Sequence, residues 1–239
     1  MDENYTNETV DSVINTTIWT GPVNMTDWTD FDIRAVSPKS QLLDLDTVSA
    51  ILHVKDVIGE DNDVRVAVLN FASYRNPGGK FIEGSNAQEE CLCHSSNLYN
   101  ILKQLEDDYY RENRRNPNRS LYRDRALYTP NVIFHDAKKE HFTKVDVITC
   151  AAPNLNAASN WTTVTPIENV LVLAQRMQFI KDIAESEKVD VLILGAWGCG
   201  VFKQDPATVA KLFDFIFRIT KHVKNIVYAV PNSLNSDNY

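Results

Sequence analysis

From about residue 45 the chain alternates short apolar runs with longer stretches whose apolar positions recur every three or four residues. Val48–Val57 and Val64–Ala72 are rich in β-branched residues and predict two strands, with Gly59-Glu60-Asp61-Asn62-Asp63 as the turn between them. Further strands are predicted over Ala126–Asp136, Val145–Ala151, Val189–Leu194 and Ile226–Val230, the third almost wholly apolar, as a strand buried on both faces should be. Leu98, Ile101, Leu102 and Leu105 predict a buried face on a helix running from Ala87 to about Asp108. Ile167, Val170, Leu171, Ala174, Met177, Ile180 and Ala184 mark a stripe on a second, longer helix with Pro166 in its first turn. Asp205-Pro206 reads as an N-cap followed by Pro at the first helical position, opening a third helix through Leu212, Phe215, Ile216 and Ile219.

Strands alternating with long helices imply a sheet covered on both faces, a three-layer α/β/α domain. That domain is expected over residues 41–239. Residues 1–40 are polar and Asn/Thr/Asp-rich with isolated anchors at Trp19, Trp28 and Phe31, and read as an accessory segment, partly disordered or packed on the domain. Arg111–Arg125, with Arg114, Arg115, Arg119 and Arg123 around Asn116-Pro117-Asn118, reads as a surface loop or broken helix. It is either a solvated charged segment or a strip for a polyanion.

Composition narrows the function classes. With 239 residues, 44% of them apolar, the chain is long enough for a full core. No run reaches the roughly 18 apolar residues of a membrane span, and no leader pattern precedes a cleavage site. The expectation is a monomer, cytoplasmic or otherwise intracellular, without a membrane partner, so the Asn4-Tyr5-Thr6 and Asn15-Thr16-Thr17 triplets are chance matches. A net charge of −8 argues against broad nucleic-acid binding. Cys91, Cys93, Cys150 and Cys199 fit reduced thiols. Cys91-Leu92-Cys93-His94 has no second ligand pair, and on a helix its cysteines diverge, so no metal is expected.

Two glycine-bearing loops follow predicted strands and would both line the cleft at the strand ends. One is Asn76-Pro77-Gly78-Gly79-Lys80; the other is Gly195-Ala196-Trp197-Gly198-Cys199-Gly200-Val201-Phe202. Neither matches a dinucleotide fingerprint or a Walker A loop, and either alone could be a tight turn. Behind the first loop stands Gln88-Glu89-Glu90. Its bland reading is a helix start, capped by Ser85 or Asn86 with Gln88 or Glu89 completing a capping box. Its sharper reading is an acid tuned for proton transfer beside a closed cleft, the second acid holding the substrate.

Gly78-Gly79-Lys80, seven residues, then Gln88-Glu89-Glu90 resembles the GGG-x(6–8)-QEE signature of poly(ADP-ribose) glycohydrolases in the macrodomain superfamily. With Leu69-Asn70-Phe71-Ala72-Ser73 and the Leu194–Phe202 loop, the likeness is to the compact microbial-type branch and spans roughly residues 45–232. The resemblance implies a macrodomain-like fold with a central mixed sheet. It also implies hydrolysis of ribose–ribose O-glycosidic bonds to release ADP-ribose, with no cofactor. The net charge of −8 fits a compact pocket for one ligand rather than a long polyanion groove, so cleavage is expected from chain ends. ADP-ribosylated proteins would carry the substrate.

On the same resemblance Glu90 would be the acid/base, Glu89 would hold ribose hydroxyls, and Gln88 would support the loop. Asn76 would contact the distal ribose, and Gly78, Gly79 and Lys80 would form the loop that the ribose approaches. Gly198, Cys199, Gly200 and Val201 would form the diphosphate loop, with Phe202 packing on the ribose. Lys80 departs from the signature's third glycine. It points outward, or reaches a phosphate or Glu89, or narrows the pocket to a smaller ADP-ribose derivative. The alternatives to a polymer hydrolase are an ADP-ribose reader and a mono-ADP-ribosyl hydrolase or deacylase.

Overall fold

The computed structural model describes residues 3–21, 36–59 and 63–232. Its strands are β1 (Thr17–Thr20), β2 (Lys39–Leu43), β3 (Val66–Phe71), β4 (Arg125–His135), β5 (Phe142–Cys150), β6 (Val191–Leu194) and β7 (Asn225–Ala229). They form one sheet in the order β1-β4-β5-β3-β6-β7-β2. The β1–β4 and β4–β5 pairs are antiparallel, and all pairs from β5 to β2 are parallel, so the sheet is mixed. The helices are α1 (Glu3–Ile14), α2 (Thr47–Ile58), α3 (Gln88–His94), α4 (Leu98–Gln104), α5 (Arg111–Arg115), α6 (Leu155–Ala158), α7 (Pro166–Ser186) and α8 (Pro206–Ile216).

Because strand side chains alternate in direction, β3 feeds two cores. Ala67 and Leu69 pack with Leu173, Met177 and Ile180 of α7 and Val209 and Phe213 of α8. Val66 and Val68 pack with Ala50, Ile51 and Val54 of α2, Leu92 of α3 and Leu98 and Leu102 of α4. The architecture is the three-layer α/β/α arrangement expected.

Several elements differ from the expectation. Val48–Val57 is not a strand but most of α2. Asp46 caps that helix, its carboxylate accepting from the Ser49 N–H at 3.0 Å, and Ala50, Ile51, Val54 and Lys55 form the buried helical stripe. β-Branched content misleads here because burial on one face outweighs the small helix propensity cost of valine and isoleucine. The helix from Ala87 to Asp108 is broken between α3 and α4, where Asn97 accepts the Ile133 N–H at 3.0 Å and donates to Thr9 at 3.0 Å. Asparagine competes with helical bonding in this way. On α7 the buried face is rotated from the apolar stripe: Ile167 and Leu171 are exposed, while Asn169, Arg176 and Asp182 are buried. Arg176 is satisfied by Asp124 and the Ala151 carbonyl (2.8 Å), and Asn169 by Gln204 (2.9 Å), so polar groups occupy a face that an apolar count overlooks. On α8, Phe215 is exposed while Ile216 is buried. The Asp205 cap and the first-turn prolines of α7 and α8 are as read.

Residues 3–20 form α1 and the edge strand β1, and the boundary at residue 40 falls within β2, which pairs with β7. Trp28, Phe31 and most of the Gly59–Asp63 turn lie outside the described residues. Among the described residues no helix is long and apolar enough to cross a membrane.

Candidate active site

The site forms where β3 outruns its neighbour. β3 pairs with β6 only through Val66–Val68, so at Leu69–Phe71 one backbone edge is left open. Gln88 fills it: its amide donates to the Leu69 carbonyl at 2.9 Å and accepts from the Phe71 N–H at 2.8 Å, as a neighbouring strand would. The first turn of α3 is thereby fixed against the strand end. Its N-cap is Ala87, with no side-chain cap, so the expected capping by Ser85 or Asn86 is absent.

Glu89 and Glu90 are not at an exposed helix start; they are 3% and 6% exposed. Glu89 accepts from the Ser73 N–H at 2.6 Å and from the Asn70 amide at 3.3 Å. Asn70 also reaches the Thr149 hydroxyl at 3.3 Å on the adjacent strand. Glu90 accepts from the Lys80 N–H at 2.8 Å. The loop closes over both acids at Gly79, whose φ is +60°. A Cβ at Gly79 would lie 2.5 Å from Glu90 Oε1 and 3.0 Å from Glu89 Oε2. Side chains 100° apart on a helix therefore still converge, because the loop backbone supplies a common point between them.

Lys80 has φ −110°, outside the left-handed region, so the backbone there makes no demand for glycine. Its ammonium lies 3.7 Å from Glu83, both side chains well exposed. It points away from Glu89 and Glu90, and its contribution to the site is its N–H.

The second loop stands opposite. A cavity of about 410 Å³ is lined by Gly198, Gly200, Val201 and Phe202 of this loop and by Phe71 and Gln88. The Asn76–Lys80 loop, expected to line it too, does not, and Gln88 is what joins the cavity to the acid pair. Gly198 has φ +79°, and a Cβ there would lie 2.8 Å from that of Ala152. The loop is braced from behind by Trp197, donating to the Cys150 carbonyl at 3.1 Å, and by Gln204, donating to the Pro153 carbonyl at 2.8 Å. Cys199 does not line the cavity; it packs on the core beneath it. Asn76 is exposed on the first loop, its carbonyl accepting from the Gly79 N–H at 3.1 Å. Cys93 is buried and Cys91 half-buried at the cavity, so the two thiols diverge; burial raises the pKa of both. A larger cavity, about 1090 Å³, lies elsewhere, and its walls carry the ion pairs Arg65–Asp146 (3.9 Å) and Lys144–Glu8 (2.9 Å).

Asn70, Ser73 and Gln204 are site residues that the motif reading gave no role. The available signal for Asn70 was one amide inside the apolar run Val66–Phe71, an expensive residue to bury without a partner.

Burial pushes the Glu89 carboxyl up to about 8, and the charge of Glu90 adds to the rise, while the Ser73 and Asn70 donors oppose it. The folded chain thus holds this proton more tightly than the unfolded chain, where the ordinary value is 4.5. The contribution to stability is complete below pH 4.5 and is lost as pH rises through about 8. Denaturant unfolding of Glu89→Gln should accordingly show a shallower decline across that window than wild type. Superimposable profiles would contradict a buried, protonated Glu89.

The microbial-type PARG catalytic domain family model matches residues 4–136. No curated protein matches the sequence. Among solved structures, poly(ADP-ribose) glycohydrolase from Thermomonospora curvata bound to the inhibitor ADP-HPD superposes with a TM-score of 0.81 at 28% identity, covering 96% of this chain and 84% of that one. The Deinococcus radiodurans poly(ADP-ribose) glycohydrolase in complex with ADP-ribose gives 0.81 at 28% identity, covering 94% and 91%. With both loops, the buried acid pair and the mixed sheet in this arrangement, the chain belongs to the microbial-type poly(ADP-ribose) glycohydrolase family, whose catalytic domain has a macrodomain-like fold.

Proposed function

We propose that the 410 Å³ cavity takes the terminal ADP-ribose of a poly(ADP-ribose) chain and that Glu90 drives hydrolysis of the ribose–ribose bond next to it. The observation that carries this reading is the convergence of two buried carboxyl groups on Gly79, next in sequence to the cavity-lining Gln88. Glu90, aligned by the Lys80 N–H, protonates the leaving ribose oxygen as an oxocarbenium-like centre develops. It then takes a proton from the attacking water, which restores the acid. Glu89 holds ribose hydroxyls. Gly198, Gly200 and Val201 present backbone donors to the diphosphate, and Phe202 packs on the ribose. Asn76, at the exposed lip, meets the distal ribose.

A reader of ADP-ribose needs no second buried acid, and burying one is costly, which favours turnover over binding alone. The cavity suits one ADP-ribose and so chain-end cleavage, with the polymer's protein carrier left outside. Four free thiols fit an intracellular site of action.

Offering the chain polymer, mono-ADP-ribosylated protein and ADP-ribose in parallel tests the reading: ADP-ribose should be released from polymer. Binding without release from either conjugate would make the protein a reader, and release only from the mono-conjugate would move the substrate class. Because the Lys80 side chain points outward, Lys80→Gly should leave the polymer kcat/KM within about twofold, as expected of a surface substitution remote from the chemistry. A large loss would make the ammonium a working part of the site.

A further inference from the structure

Six arginines against two acids make residues 111–125 strongly basic in a chain whose net charge is −8, and the hydrolase reading gives that segment no role. The fold sets it directly beside the catalytic loop. Asn113 donates to the Tyr74 carbonyl at 3.0 Å, Arg114 to the Arg75 carbonyl at 2.9 Å, and the Tyr74 hydroxyl to the Asn116 carbonyl at 3.1 Å. Tyr74 and Arg75 immediately precede Asn76-Pro77-Gly78-Gly79, and Ser73 beside them holds Glu89.

Tyr74 and Tyr122 stack at 4.2 Å with their planes 9° apart, and Tyr122 meets Phe202 of the cavity edge-on at 6.1 Å. The Arg123 N–H lies 3.4 Å from the Tyr74 hydroxyl, so the chain at Arg123 passes the tip of the ring whose base carries Arg75. Two Tyr-Arg dipeptides therefore flank one aromatic wall of the site. Arg75 and Arg123 are both exposed, and among the described residues neither side chain forms an ion pair. Tyr122 has φ +63° and Asn118, Arg119 and Ser120 also have positive φ, so the approach of this segment to the wall holds four non-glycine residues in the left-handed region. Arg119 is tied to Glu168 and Arg125 to Asn113, so these two serve the fold.

We propose that Arg75 and Arg123 form a second anion subsite, which takes the diphosphate of the ADP-ribose unit adjoining the one in the cavity. This rests on the polymer-hydrolase reading. The cavity accounts for one diphosphate, and a polymer presents another one repeat away, on the far side of the bond that Glu90 cleaves. Two exposed guanidiniums without acidic partners among the described residues, carried at the two ends of the tyrosine pair that reaches Phe202, supply the complementary charge. Only two unpaired arginines take part, which matches one diphosphate better than a nucleic-acid track.

The test measures binding of a short labelled polymer, and separately of ADP-ribose, in the non-hydrolysing Glu90→Gln background. Arg75→Gln with Arg123→Gln should weaken polymer binding about tenfold and lower its salt dependence by a slope on the order of 1, with ADP-ribose affinity within about twofold. Arg75→Lys with Arg123→Lys should keep most of the polymer affinity. Unchanged polymer binding, or an equal loss for ADP-ribose, overturns the subsite. Single-stranded RNA that competes as well as polymer also overturns it, in favour of a general anion surface. Failure of the wild-type chain to release ADP-ribose from polymer would instead count against the hydrolase reading, while the binding comparison still decides the arginines.

Discussion

Glu90→Gln is expected to lower ADP-ribose release from polymer by at least about 10³-fold while leaving ADP-ribose affinity within a few-fold. General acid/base catalysis by one side chain contributes roughly 10²–10⁴-fold, and Glu90 is assigned both halves of the proton transfer. The size of the separation between rate and affinity follows from the geometry. Glutamine is nearly isosteric, and its carbonyl oxygen still accepts from the Lys80 N–H, the 2.8 Å contact that ties the acid to the glycine loop. The loop therefore stays closed over α3 and the cavity walls from Phe71 to Phe202 are undisturbed. Steady-state release assays and calorimetry with ADP-ribose check the two halves independently. Turnover equal to wild type would remove Glu90 from the chemistry.

Gly79→Ala should cost about 10²-fold in kcat/KM, a loss typical of misplacing a catalytic group by about 1 Å. The added Cβ would sit 2.5 Å from Glu90 Oε1, closer than real Cβ contacts, so the carboxylate or the loop must shift. The substitution also places alanine at φ +60°, which costs roughly 1–2 kcal/mol of stability. Gly84→Ala separates the two effects. Gly84 has φ +78°, but an added Cβ there meets nothing within 4 Å. It should lose comparable stability and keep its activity. If both variants lose activity equally, the convergence of the acids on Gly79 is not what the reaction depends on.

Much of the site is readable along the chain, and the reason is local. Glycines at 78, 79 and 198 stand where the backbone takes positive φ, a conformation that favours glycine locally. Gln88-Glu89-Glu90 is contiguous, so its spacing from the loop survives folding as a motif. The signature's third glycine is different. Lys80 occupies it without strain because its φ is −110° and its side chain runs outward to Glu83.

What was not readable depends on partners distant in sequence. Asn70 and Thr149 meet across the parallel β3–β5 pair, seventy-nine residues apart. The polar segment Lys39–Leu43 becomes a strand only because β7 offers a free edge, and its composition carries no strand signal. Val48–Val57 looks like a strand until the buried stripe of α2 is seen against the sheet.

The sequence by itself determined the α/β class, the two loops, the acid pair and the family resemblance, because each rests on residue type at short spacing. Only the tertiary structure decided that the acids are buried and that they meet at Gly79. It alone showed that Gln88 replaces a missing strand and that the arginine-rich segment borders the catalytic loop. Burial and convergence are set by which chain lies opposite, and that opposite chain is chosen by the whole sheet rather than by any stretch of it.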